Sequence, residues 1–171
     1  DGADEIEPSS DGRSLRVVCR RWALIGSKSG SLVDPHITSE VRFRINGSTL
    51  VPEETLTASE RMTIRGWRFA VPTTASRAAQ TAYGRENWKR FDSPDGVLEV
   101  KFPEAEWPLI ETTVATGDSA LGRGPRRGIP LHLVYESRDI RLEPGRSVRW
   151  QIAMRASAPQ PDNRNTKGET D

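Results

Sequence analysis

Hydrophobic and polar residues alternate one by one through much of this chain, and the clearest run lies towards its C-terminal end. Val148, Trp150, Ile152 and Met154 fall on one side of an extended segment, with Arg149, Gln151, Ala153 and Arg155 on the other. Strand side chains alternate with period two, so the run predicts a half-buried β-strand. The same reasoning predicts strands over residues 40–46, with Val41, Phe43 and Ile45 inward, and over 97–102, with Leu98, Val100 and Phe102 on one face. Residues 14–25 read as a first strand whose inward side carries Leu15, Val17 and Cys19.

Turn signals punctuate these runs. Asn46-Gly47 predicts a hairpin into residues 49–51, and Asp92-Ser93-Pro94-Asp95-Gly96 and Glu143-Pro144-Gly145-Arg146 predict further turns. Residues 61–71 alternate through Met62 and Ile64, lose phase at Gly66 and resume through Trp67, Phe69 and Val71, as a bulged, bent strand does. Strands are also predicted over 109–114, 129–135, 139–142 and 147–155, and loops over 26–35 and 117–130. Ala75, Ala78, Ala79, Ala82 and Tyr83 recur at helical spacing between Thr73 and Gly84, which predicts one short helix. Roughly seven to nine short strands with near-regular turns predict an all-β fold: an antiparallel two-sheet β-sandwich, immunoglobulin-like or jelly-roll. Residues 13–156 form its single domain, between a flexible acidic tail (1–12) and a flexible polar tail (157–171).

Composition narrows the function. A chain of 171 residues and 19.0 kDa has material for one core. Its 25 basic and 24 acidic residues leave a net charge of +1, which argues against nucleic acid as a partner. No apolar run reaches the roughly 18–20 residues of a membrane helix, so no membrane insertion is expected. Cys19 is the sole cysteine, which rules out an internal disulfide and is expected of a small core residue. Opening on Asp1 rather than Met, the chain reads as a processed or excised segment, with an exported or envelope-associated protein the favoured source.

Candidate chemistry is sparse. Gly117-Asp118-Ser119 is the tripeptide that carries the nucleophile in some serine hydrolases, and His36 and His132 are available bases. Nothing in the flanking sequence supplies the orienting acid or oxyanion hole such chemistry requires. The pairs Asp92 and Asp95, Glu53 and Glu54, and Glu104 and Glu106 are neighbours in sequence, whereas glycosidase acids face each other from separate elements. They read as turn and solvated positions. Too few oxygens cluster for calcium, so no metal and no cofactor are predicted.

Binding is better represented. Tryptophan stands beside cations at Arg21-Trp22, Trp67-Arg68, Trp88-Lys89 and Arg149-Trp150. Adjacent strand residues point opposite ways, so Trp67 and Trp150 are expected in the core with their arginines wet. Trp88 and Trp107, outside the clearest strands, are the candidates for an exposed ring. Arg123, Arg126 and Arg127 crowd a loop that suits an acidic or phosphate-bearing ligand. Asn46-Gly47-Ser48 matches a glycosylation sequon but is first a hairpin turn. The expectation is a non-catalytic recognition or assembly module that binds a protein or glycan through loops and a sheet edge. A capsid-like, shell-forming jelly roll is the alternative, and an enzyme with an unfamiliar site the third.

Overall fold

A computed structural model of the chain describes residues 3–20, 22–24, 32–34, 36–73, 87–93, 96–115 and 131–158. Among them lie sixteen strands and no helix. The strands are β1 (Glu5–Pro8), β2 (Ser14–Cys19), β3 (Trp22–Leu24), β4 (Leu32–Asp34), β5 (Ile37–Asn46), β6 (Thr49–Ala58), β7 (Met62–Ile64), β8 (Trp67–Pro72), β9 (Trp88–Ser93), β10 (Gly96–Lys101), β11 (Glu104–Ala105), β12 (Ile110–Ala115), β13 (Leu131–Ser137), β14 (Ile140–Leu142), β15 (Ser147–Gln151) and β16 (Met154–Ser157). Every pairing among them is antiparallel. The all-β, antiparallel class expected from the alternation is the class found. Residues 74–83 of the expected helix lie outside the described residues.

A nine-stranded sheet runs β1-β2-β5-β6-β16-β10-β9, with β15 beside β6 and β11 beside β15. A three-stranded sheet, β12-β13-β8, packs across its second half, and β14-β7 and β3-β4 are short ribbons. Between the layers Trp67 and Phe69 of β8 stack on Trp150 of β15, with ring centroids 4.9 Å and 4.7 Å apart. Phe91, Val100, Leu133, Tyr135 and Ile152 fill the rest of this core. Burial of each such side chain contributes about 1.5–3 kcal/mol. Trp67 and Trp150 therefore sit where the alternation placed them.

Several boundaries move, for identifiable reasons. The β5–β6 register ends at Asn46↔Thr49, so the hairpin loop is Gly47-Ser48 rather than Asn46-Gly47. Gly47 has φ of 60° and Ser48 has no positive φ, the pattern of a type II′ turn, whose twist suits a two-residue hairpin. At Gly66 the chain does more than bulge: β7 pairs with β14 and β8 with β13, so the expected single strand is divided between two sheets.

The C-terminal run also divides, and Pro52 explains it. Gln151↔Glu53 and Met154↔Leu50 belong to one unbroken register on β6, with Ile152 opposite Pro52. Ile152 donates its N–H to the Pro52 carbonyl at 3.1 Å, but proline has no N–H to return the bond. The ladder lapses there, and the run becomes β15 and β16.

Residues 5–8, expected in a flexible tail, instead form β1. They pair with Leu15 to Val18 of β2, and Arg16 reaches across to Glu5 and Glu7. At the other end β16 carries order through Ser157, and residues 159–171 lie outside the described residues. Cys19 is half-buried rather than a core residue, and in β2 it is Val18, on the opposite side, that is buried.

Candidate interaction surface

Strands β1, β2 and β5 largely separate their side chains by chemistry, the exception being Val18, which is buried on the charged side level with Glu5 and Glu40. Ile6, Val17 and Val41 stand abreast on one side, as do Pro8, Leu15 and Phe43, with Ile45 beyond them. Ile6 is 63% and Ile45 50% exposed, and the others between them are half-buried outside the core cluster or, at Pro8, exposed. Among the described residues, the core cluster takes in Ile37 of β5 and no residue of β1 or β2.

The opposite side is charged and paired within itself. The Arg16 guanidinium contacts Glu7 at 3.0 Å, Glu5 at 3.2 Å and Glu40 at 2.9 Å. Arg42 holds the other oxygen of Glu40 at 2.7 Å, and Arg44 meets Glu53 at 3.0 Å. The hydrogen bond from Arg16 holds the Glu40 carboxyl below its ordinary value, with Arg42 adding to the effect. That from Arg20 does the same for Glu5, and these carboxylates in turn raise Arg16. A shallow depression at the sheet edge is lined by Glu7, Ser9, Ser14, Arg16, Arg42 and Arg44 together with the apolar Pro8 and Leu15. Its arginines are held by carboxylates, so it does not present free positive charge.

Of the residues expected to bind, Arg123, Arg126 and Arg127 lie outside the described residues, as does Ser119. Trp88 opens β9 on the charged side, half-buried, with the Arg155 guanidinium 4.3 Å from its ring centroid. Arg155 is itself held by Glu99 at 2.6 Å. Trp107 is not on the surface: it is 8% exposed and stacks edge-on against Trp67, with centroids 5.6 Å apart. The reason is that Ala105 pairs with Trp150, and the ladder runs on through Glu106 to Arg149, which turns Trp107 to the core side. Its indole N–H has no hydrogen-bond partner.

The two histidines belong to different sheets. His36 adjoins β5, its Nδ1 3.2 Å from Ser59 Oγ and 3.6 Å from Glu60, whereas His132 stands on β13 between Val114 and Pro72. Asp92 is engaged by Arg90, and Glu104 by Lys101 and Gln151. Glu53 and Glu54 point to opposite sides of β6. Among the described residues no three His, Cys, Asp or Glu side chains converge to hold a metal.

Two polar features on the core side escape sequence reasoning. Glu54, level with Val41 and Trp150, accepts hydrogen bonds from Ser39 Oγ and from the Trp150 indole N–H at 2.6 Å. Lys89 of β9 is buried against Glu111 of β12, joining the two sheets by an ion pair. Only an inward charge on a strand could have signalled either, and pattern reading assigns such a residue to the outside.

These observations define an antiparallel all-β, sandwich-like domain with one large sheet that is covered over part of its length. In fold it is similar to a putative aldose 1-epimerase from Escherichia coli K12, with a TM-score of 0.53 and 12% identity over 90% of this chain and 68% of that one. It is also similar to the Slr1438 protein of Synechocystis sp. PCC 6803, with a TM-score of 0.58 and 12% identity over 90% of this chain and 65% of that one. A third similar structure is heparinase III, at 0.53 and 11% identity, where 93% of this chain matches 22% of the other. The chain thus spans under two thirds of the Synechocystis protein and about a fifth of heparinase III. No protein-family model matches the chain, and no curated protein matches it in sequence.

Proposed function

We propose that this chain is a non-catalytic recognition or assembly module of a larger, carbohydrate-processing protein. The observation that carries the reading is the division of β1, β2 and β5 into a self-paired charged side and an apolar side left open. The exposure of Ile6 and Ile45 on that side is what supports a contact there. The place of a similar fold within heparinase III supports the larger context. The finer architecture, a two-sheet sandwich of immunoglobulin-like or jelly-roll type, belongs to this proposal; the packing of β8 on β15 supports its two layers and favours neither type.

Light scattering of the purified chain tests the reading. A single species near 19.0 kDa is expected, whereas closed shells of many copies would favour the capsid-like alternative. A catalytic role on sugars is the second reading, favoured by the fold of the putative aldose 1-epimerase and by Glu54, a carboxylate placed on the core side of the large sheet. Interconversion of aldose anomers by the chain, lost in Glu54→Gln with folding intact, would establish it in place of the first.

A further inference from the structure

No charged side chain stands on the apolar side of β1, β2 or β5, and the polar Ser39 there is buried and committed to Glu54. A glycan site needs donors and acceptors around an aromatic plane, and this stripe offers aliphatic carbon and Phe43. Its chemistry fits another apolar protein surface.

Size decides which. Three strands about 4.8 Å apart, over some five residues at about 3.3 Å each, present roughly 200–300 Å² of flat sheet. A free-standing partner needs about 800 Å² per side. Strand addition at the edge is also blunted, because β1 has four residues and ends on Pro8. A surface this small is occupied durably only when its partner is tethered, since a linker supplies an effective concentration of the order of millimolar. In heparinase III, likewise, a similar fold is a fraction of a far longer chain.

We propose that the stripe around Ile6, Val17, Phe43 and Ile45 seats an adjoining domain of the same polypeptide, whose apolar surface packs over the part of β1, β2 and β5 that the described core cluster leaves out. The inference rests on the module reading and narrows its partner from protein or glycan to protein. Hydroxyl-radical footprinting tests it, comparing the 171-residue chain with the native-length polypeptide purified from its source. Ile6, Val17, Phe43 and Ile45 should label readily in the former and severalfold less in the latter, while Arg42 and Arg44 label alike in both. Equal labelling of the stripe in both overturns the docking surface. Protection that falls on the charged side instead overturns it while leaving the module reading intact. A native-length polypeptide no longer than this chain, with the stripe still labelled, overturns both. Light scattering supplies the second arm: a dimer of the 171-residue chain, abolished by Ile45→Asp or the milder Ile45→Ser without loss of Tm, would make a second copy the occupant and overturn the adjoining domain.

Discussion

The Lys89 ammonium on β9 meets the Glu111 carboxylate on β12 between the two sheets, with side-chain exposures of 8% and 18%. Removing one member of a buried pair leaves the other charge in low dielectric, at a cost of about 3 kcal/mol or more. Lys89→Met is therefore expected to destabilise strongly in urea titrations. Lys89→Met with Glu111→Leu should recover most of the loss, because the pair as a whole repays little more than its own desolvation. A double variant no more stable than the single one would contradict this.

Gly96 is expected to tolerate no side chain. Its φ is 153°, and a Cβ there would lie 2.8 Å from the Ser157 carbonyl oxygen, where β10 meets β16. Gly96→Ala should cost roughly 1–3 kcal/mol, as overpacking against backbone does. Gly66, with open space around it, is the control: Gly66→Ala should change stability by no more than about 0.5 kcal/mol. Thermal melts of the two variants make the comparison.

The Arg16 network makes stability depend on acid. The folded-state pKa of Glu40 lies below its ordinary 4.5, so the unfolded chain binds the proton more readily. Its contribution is complete above 4.5 and is lost as pH falls through the lower folded value. Glu5, depressed in the same way by Arg20, acts in the same direction. Melting temperature should decline below that range, and Glu40→Gln should flatten the decline while lowering the plateau at neutral pH.

Trp107 is expected to behave as a core residue. Trp107→Ala should cost about 3–5 kcal/mol, as truncation of buried aromatics does. Trp107→Phe keeps the packing and removes the unpaired indole N–H, so it should cost far less. Acrylamide quenching of single-tryptophan variants should reach Trp88 and spare Trp107.

What the sequence disclosed follows from how evenly its strands alternate. Val41 to Ile45 and Val148 to Met154 carry uninterrupted alternation, and their sides were legible from residue type alone. In β9 the inward residues are Lys89 and Phe91, and an inward lysine makes Trp88 to Ser93 read as a polar loop. Glu5 and Glu7 gave β1 the look of an acidic tail, because the cation that holds them is eleven and nine residues away, on the next strand. Trp107 misled through its Pro108 neighbour, since pairing of so short a strand as β11 depends on β15, far along the chain. Of the candidate site, the apolar positions of β2 and β5 were visible but assigned to the core, and Ile6 to the tail; that Ile6 and Ile45 lie exposed is decided by tertiary packing, which no local pattern encodes.

The position of β15 and β16 has a consequence for biosynthesis. These strands come from the last part of the described chain, yet they lie in the middle of the large sheet, between β6 and β10. Until residues 147–157 emerge from the ribosome, the β5–β6 hairpin and the β9–β10 hairpin have no strand to join them, and β6 keeps an open edge. Contacts of such long sequence separation form late and slowly. The β5–β6 hairpin must therefore wait until β15 and β16 are made, with the pairing groups of β6 exposed, and these two strands then close the gap in the sheet.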